Sequence, residues 1–142
     1  MIILDTNIIS EFMTSQPKKS VLEWLNAQDS MALYLTTISI AEIGFGLRIM
    51  SNDKKRRLLD DRFRQFAATA FKSRILSFDE AAARVYGDIK GYRKEIGRPL
   101  SDLDGQIAAI ARAKEFVVAT RNIKDFEECG VKLINPFVFG SQ

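Results

Sequence analysis

The stretch Ile2-Ile3-Leu4-Asp5-Thr6-Asn7-Ile8-Ile9 decides the fold. Three apolar residues in a row leave no polar face, the pattern of a strand covered on both sides at the centre of a parallel sheet. Asp5 ends the run, and Ile8 to Met13 then reads as one or two helical turns. Pro17 interrupts that pattern, and Ser20 to Gln28 reads as a helix with Val21, Trp24 and Leu25 on one side. Met31 to Thr36 is a second strand.

The alternation continues outward from there. Ser39 to Met50 carries Ile40, Ile43, Leu47 and Met50 at helical spacing, and Asp53 to Phe71 is a long charged helix. Ile75 to Phe78 is a brief strand. Asp79 caps a helix through Ile96, with Gly97 placed to end it. Ser101 opens a helix to Lys114, Phe116 to Thr120 is a strand, Ile123 to Glu128 a short helix and Val131 to Ile134 a last strand. Strands that alternate with helices predict an α/β fold, a three-layer α/β/α sandwich around a mainly parallel sheet. At 142 residues, with no linker, repeat or low-complexity stretch, residues 1–142 are expected to form one domain.

Composition removes whole classes of chemistry. Hydrophobic residues at 46% and charged residues at 27% are globular values and exclude disorder. There is no histidine, which excludes Ser-His-Asp triads, His-bound zinc and His-ligated haem. The single cysteine, Cys129, permits no internal disulfide or multi-cysteine metal site, and the expected setting is reducing and cytoplasmic. No apolar run is long enough to span a bilayer, and the opening residues lack a signal peptide's basic start. Any metal chemistry must run on oxygen ligands, which points to Mg²⁺ or Mn²⁺. Lys+Arg 21 against Asp+Glu 18 gives a net charge of +3, compatible with nucleic acid.

The acids fall at suggestive places. Asp5 follows the first strand, and ligands of open parallel sheets bind at the carboxyl ends of strands. Asp5 is equally a helix cap. Glu42 opens the helix after the second strand, where Ser39-Ile40-Ala41-Glu42 also spells a capping box. Ser101-Asp102-Leu103-Asp104 repeats that spacing, and Thr120-Arg121-Asn122 follows the fourth strand, with Asn122 or Thr120 available as a cap. If these positions converge on one rim, their carboxylates repel and call for a divalent cation. Such a cation activates water and orients a phosphodiester without any histidine.

Leu4-Asp5-Thr6-Asn7, Ile40-Ala41-Glu42-Ile43, Asp104-Gly105-Gln106-Ile107-Ala108-Ala109 and Ala119-Thr120-Arg121-Asn122 together resemble the PIN-domain ribonucleases. The likeness is greatest to the toxins of VapBC-type toxin–antitoxin modules, in their FitB-like branch, and runs from Leu4 to Phe137. The resemblance implies a Mg²⁺- or Mn²⁺-dependent endoribonuclease with Asp5, Glu42 and Asp104 as its acidic metal site. Asp5 and Asp104 are the stricter ligands, and Thr6 supplies a hydroxyl that supports the first acid. Asn122 stands where many members carry a fourth acid, and Asp125 is near enough to compensate if its helix turns inward. The resemblance also implies a homodimer, an RNA substrate, and a small DNA-binding antitoxin whose tail crosses the acidic pocket. No membrane partner is implied.

The dense basic run Lys54-Lys55-Arg56-Arg57 reads as a solvated helix face with pairs such as Arg57–Asp61, or as a phosphate-attracting patch. Arg98 and Arg121 lie nearest the presumed rim and are the RNA-binding candidates. Phe63, Phe66 and Phe71 recur at helical spacing and are expected to pack, as are Tyr86, Tyr92 and a buried Cys129. Two other classes fit less well. An aspartyl-phosphate phosphatase wants an acid where Asn7 stands. A phospho-receiver wants an acceptor Asp after a central strand, whereas Asp53 lies in a polar stretch. A catalytically weak PIN-like module, acting mainly in an antitoxin complex on DNA, is the alternative that keeps the fold.

Overall fold

The computed structural model describes residues 1–140. Five short strands, β1 (Ile2–Leu4), β2 (Leu33–Thr36), β3 (Ile75–Leu76), β4 (Val117–Ala119) and β5 (Leu133–Ile134), form one sheet in the order β3-β2-β1-β4-β5. Every pairing is parallel. Parallel neighbours need long crossovers, and these are supplied by α1 (Thr6–Phe12), α2 (Lys19–Ala27), α3 (Thr37–Arg48), α4 (Asp53–Ala70), α5 (Glu80–Glu95), α6 (Asp102–Lys114) and α7 (Ile123–Phe126).

The apolar run of β1 is explained by its place at the centre. Side chains of a strand alternate between faces, so Ile3 and Val118 enter a core shared with Ala82, Ile89, Ile107 and Ile110 of α5 and α6. Leu4, Ala119, Leu33 and Leu35 enter a second core with Ile8, Val21, Trp24, Ile43 and Phe63 of α1 to α4. The three layers expected from the alternating pattern are present. From β1 the chain moves to β2 and β3 on one side, then returns to β4 and β5 on the other. The reversal lies between β1 and β4, where Leu4 pairs with Ala119. It sets Asp5 and Thr120 side by side at the carboxyl edge, and the Asp5 N–H donates to Ala119 O at 2.9 Å.

Local boundaries differ from the sequence pattern where a polar side chain captures the backbone. Met31 belongs to a 3₁₀ turn (Ser30–Ala32) because Asp29 accepts from its N–H at 2.9 Å, so β2 starts at Leu33. The helix after β2 starts at Thr37, capped by Thr36, whose hydroxyl accepts from Ser39 N at 3.2 Å. The Ser39–Glu42 capping box is therefore not formed. Gly97 takes φ +74 beyond α5, as its glycine allows.

The aromatic residues of α4 pack. Phe63 and Phe71 are buried, and Phe66 stacks on Phe12 with centroids 5.0 Å apart. Among the described residues the ion pairs of α4 are Arg56–Asp53 at 3.2 Å and Arg64–Asp60 at 3.1 Å, not Arg57–Asp61. No helix of the described residues is long and apolar enough to cross a membrane.

Candidate active site

Asp5 sits at the end of β1 with only 5% of its surface exposed. It is both a cap and a cleft residue: Oδ1 accepts from the N–H of Thr6 at 2.8 Å at the start of α1. Oδ2 accepts from Thr120 Oγ1 at 2.9 Å and from Asn7 Nδ2 at 3.1 Å. Oδ2 is thus filled, whereas Oδ1, with one partner, keeps a lone pair for the cleft. Burial pushes the Asp5 carboxyl up to about 6, helped by the charges of Asp104 and Glu42 and opposed by the Thr120 and Thr6 hydrogen bonds.

Glu42 lies in the second turn of α3, half-buried. Its Oε1 accepts from Thr6 Oγ1 at 2.8 Å. The same Thr6 hydroxyl is 2.8 Å from Ser39 Oγ. One hydroxyl has one proton, so Ser39 donates to Thr6 and Thr6 to Glu42. The Thr6 hydroxyl therefore supports the second acid, and only its backbone N–H supports the first. The hydroxyl that serves Asp5 is Thr120, which the sequence reading treats as a cap. Asn7 is a further positioning residue: it holds Asp5 through Nδ2 and accepts from the Arg121 N–H through Oδ1 at 3.1 Å.

Asp104 occupies the first turn of α6, where Ser101 caps the helix by accepting from the Asp104 N–H at 3.3 Å. Its carboxyl is raised, chiefly by burial and then by Asp125, against lowering from the Ser101 hydrogen bond and Arg93. Asn122 starts α7, makes no side-chain cap bond, and donates its N–H to Thr120 Oγ1 at 3.0 Å.

Asp5, Thr6, Glu42, Asp104, Arg121 and Asn122 line one cleft of about 430 Å³. Asp5, Glu42 and Asp104, the three acids expected to hold the ion, thus line the same cleft. Among the described residues no three such groups stand close enough together to hold a metal. Like charges repel and Glu42 is tied to Thr6, so the carboxylates stand around the cleft rather than in one cage. The donor set still suits a hard cation: all-oxygen, with a free Asp5 lone pair, and Mg²⁺ keeps several waters beside one or two carboxylates.

The basic candidates divide. Arg121 lies at the cleft with its guanidinium over the Phe137 ring, 4.7 Å from the centroid. Arg98 is not on the cleft; it binds Glu127 Oε2 and Lys124 O, both at 3.2 Å. Asp125 is exposed and outside the cleft lining, acting on Asp104 only through its charge. Beside the cleft, an apolar groove of about 500 Å³ between α1, α3 and α4 shares Thr6, Ser10, Thr14 and Glu42 with it. Lys55 and Arg62 edge that groove.

Comparison with known proteins agrees with this architecture. The model of the PIN domain matches residues 2–131. The VapC ribonuclease Y4jK of Sinorhizobium fredii is 42% identical over 137 residues, 96% of this chain and 98% of that protein. Toxin FitB of Neisseria gonorrhoeae is 39% identical over 96% of this chain and 99% of its own length. The solved structure of FitAB bound to an IR36 DNA fragment superposes with a TM-score of 0.90, at 39% identity over 96% of each chain. The chain belongs to the PIN-domain family, alongside the VapC ribonucleases and the FitB toxin.

Proposed function

We propose that the protein is a divalent-metal-dependent endoribonuclease, the toxin of a VapBC-type toxin–antitoxin pair. The observation that carries this reading is one cleft lined by Asp5, Glu42, Asp104 and Asn122, residues up to 117 positions apart in the chain. The relatives named VapC ribonuclease and FitB toxin support it. Asp5 and Asp104 would hold Mg²⁺ or Mn²⁺, which when bound supplies an activated water and stabilises the leaving oxygen.

The chain's own residues do the positioning. Thr6 N–H, Thr120 and Asn7 fix the Asp5 carboxylate and leave Oδ1 with a lone pair for a cation. The Ser39–Thr6–Glu42 chain holds Glu42 as an acceptor for a water proton. The Asn122 amide, free of capping duty, orients a water or a substrate oxygen. Arg121, backed by Phe137, offers a cation to an RNA phosphate. A small antitoxin would cover the cleft and the adjoining apolar groove, its tail presenting a basic side chain to the acids. A second copy of the chain would complete the active assembly.

The antitoxin-free protein is expected to cleave single-stranded RNA in Mg²⁺ and to stop when EDTA is added. Asp5→Asn and Asp104→Asn should each lose at least about a hundredfold in rate with an unchanged circular dichroism spectrum. Full cleavage by Asp5→Asn protein would remove the assignment. Asn122 in place of a fourth acid, and the FitAB–DNA structure, favour a second reading: a catalytically weak partner within a DNA-bound complex. Growth arrest that survives Asp5→Asn would select it.

A further inference from the structure

Arg93 lies in the last turn of α5, only 4% exposed, and no carboxylate of the described residues pairs with it. Its Nε and Nη1 donate chiefly to backbone carbonyls. Nε donates to Arg98 O at 2.7 Å, and Nη1 to Asp125 O and Glu127 O, both at 3.0 Å, with Cys129 Sγ at 3.5 Å. The Arg98 carbonyl belongs to the α5–α6 corner, three residues before the Ser101 cap that starts the turn bearing Asp104. The Asp125 and Glu127 carbonyls belong to α7 and its exit, and α7 begins from Asn122. Arg98 repeats the connection from the surface, joining Lys124 O and the Glu127 carboxylate.

A buried cation is costly unless its hydrogen-bonding capacity is used. Here Nε and Nη1 bond carbonyls of two segments that lead into opposite walls of the cleft, one toward Asp104 and one from Asn122. We infer that Arg93, seconded by Arg98, is a positioning residue that braces the Asp104 turn against the Asn122 turn and so sets the width of the candidate metal site. Only a planar fork does this. A lysine at the same place carries the charge but reaches fewer of the separated carbonyls. Arg98, placed among the RNA-binding residues by sequence, acts on this reading through the cleft wall instead of on substrate.

The inference rests on the metal-nuclease reading, and the test separates the two. Arg74 is the control: 9% exposed, bound to Leu33 O at 2.9 Å and to Ala70 O, and lining no part of the cleft. Mn²⁺ affinity of the isolated protein is measured by calorimetry, and amide exchange by mass spectrometry without metal. Arg93→Lys should weaken Mn²⁺ binding about tenfold or more and speed exchange in residues 101–104 and 122–128 together. Arg98→Ala, at a side chain 38% exposed, should shift both readouts the same way by a smaller factor. Arg74→Lys should lower Tm while leaving affinity and both segments at wild-type values. Wild type that takes up no Mn²⁺ would sink the metal reading, and the exchange data then decide the brace alone. The brace is overturned if Arg93→Lys, or Arg98→Ala should Arg93→Lys fail to fold, leaves both segments unchanged, or if Arg74→Lys disturbs them equally.

Discussion

At the scale of single residues, the cleft is built against stability. Asp5 is held almost without water contact, and its carboxyl sits at about 6 instead of 3.8. That displacement is worth about 3 kcal/mol in favour of the protonated fold. Its sign is opposite to the usual acid. Between pH 4 and 6 the folded chain keeps a proton that the unfolded chain has lost, so this residue subtracts stability as pH rises through the window. Asp5→Asn removes the titration while keeping an oxygen for the Thr6 N–H. The variant should be more stable than wild type at pH 7.5 by about 1–2 kcal/mol. The advantage should open between pH 4 and 6 and vanish below, read by urea denaturation at four pH values. An Asn variant less stable than wild type at pH 7.5 would mean that the hydrogen bonds Oδ2 accepts from Thr120 and Asn7 outweigh the cost of burying the charge. Sequence shows the acid at the end of a strand. It does not show Thr120 or Asn7 as its partners, because a hydroxyl after β4 carries the same signal as any cap until β1 and β4 are known to be neighbours.

Elements were legible where one periodicity ruled and blurred where a side chain competed for the backbone. The triple apolar run of β1 and the alternation of strands and helices follow from burial alone, so the layers are readable in advance. Ser39 and Ser101 carry the same S-x-x-[DE] signal, yet only Ser101 caps. Thr36, one position before α3, intercepts the Ser39 N–H and frees the Ser39 hydroxyl for Thr6. Close packing of α5 on α6 is a matter of one missing methyl. A Cβ on Gly105 would lie 3.0 Å from Tyr86 Cε2 and 3.2 Å from Lys90 Cδ. Both side chains are held by Asp102, at 3.2 Å and 2.8 Å. Gly105→Ala should cost about 1–2 kcal/mol despite alanine's better helix propensity, and should disturb the neighbouring Asp104. Gly87, on the exposed face of α5 with nothing within 4 Å of a Cβ, gives the opposite sign. Gly87→Ala should stabilise by about 0.5–1 kcal/mol. Thermal melts of the two variants decide it, and equal shifts would deny the close approach at Gly105.

Over the whole molecule, topology does what no local pattern can. The strand order β3-β2-β1-β4-β5 reverses between β1 and β4, and the helices that follow β1, β2 and the α5 corner bring Thr6, Glu42 and Asp104 from their first or second turns to that one edge. The convergence concentrates negative charge at one edge, with Asp5 almost out of reach of screening water. Burial raises the Asp5 carboxyl toward its protonated form, and Glu42 accepts the Thr6 hydroxyl proton. A divalent cation would relieve the same strain, so binding and stability should be linked. Metal competes with the Asp5 proton, so Mn²⁺ affinity should fall about tenfold for each pH unit below 6 and level off above it. At a hundred times its Kd, Mn²⁺ should add about 2.7 kcal/mol to unfolding stability. The gain should be larger at pH 7.5 than at pH 5 for a fixed metal concentration. Asp5→Asn/Asp104→Asn protein should show neither the gain nor its pH dependence. Thermal denaturation with and without Mn²⁺ at the two pH values is the measurement. A gain that persists in the double variant would place the cation somewhere other than the cleft.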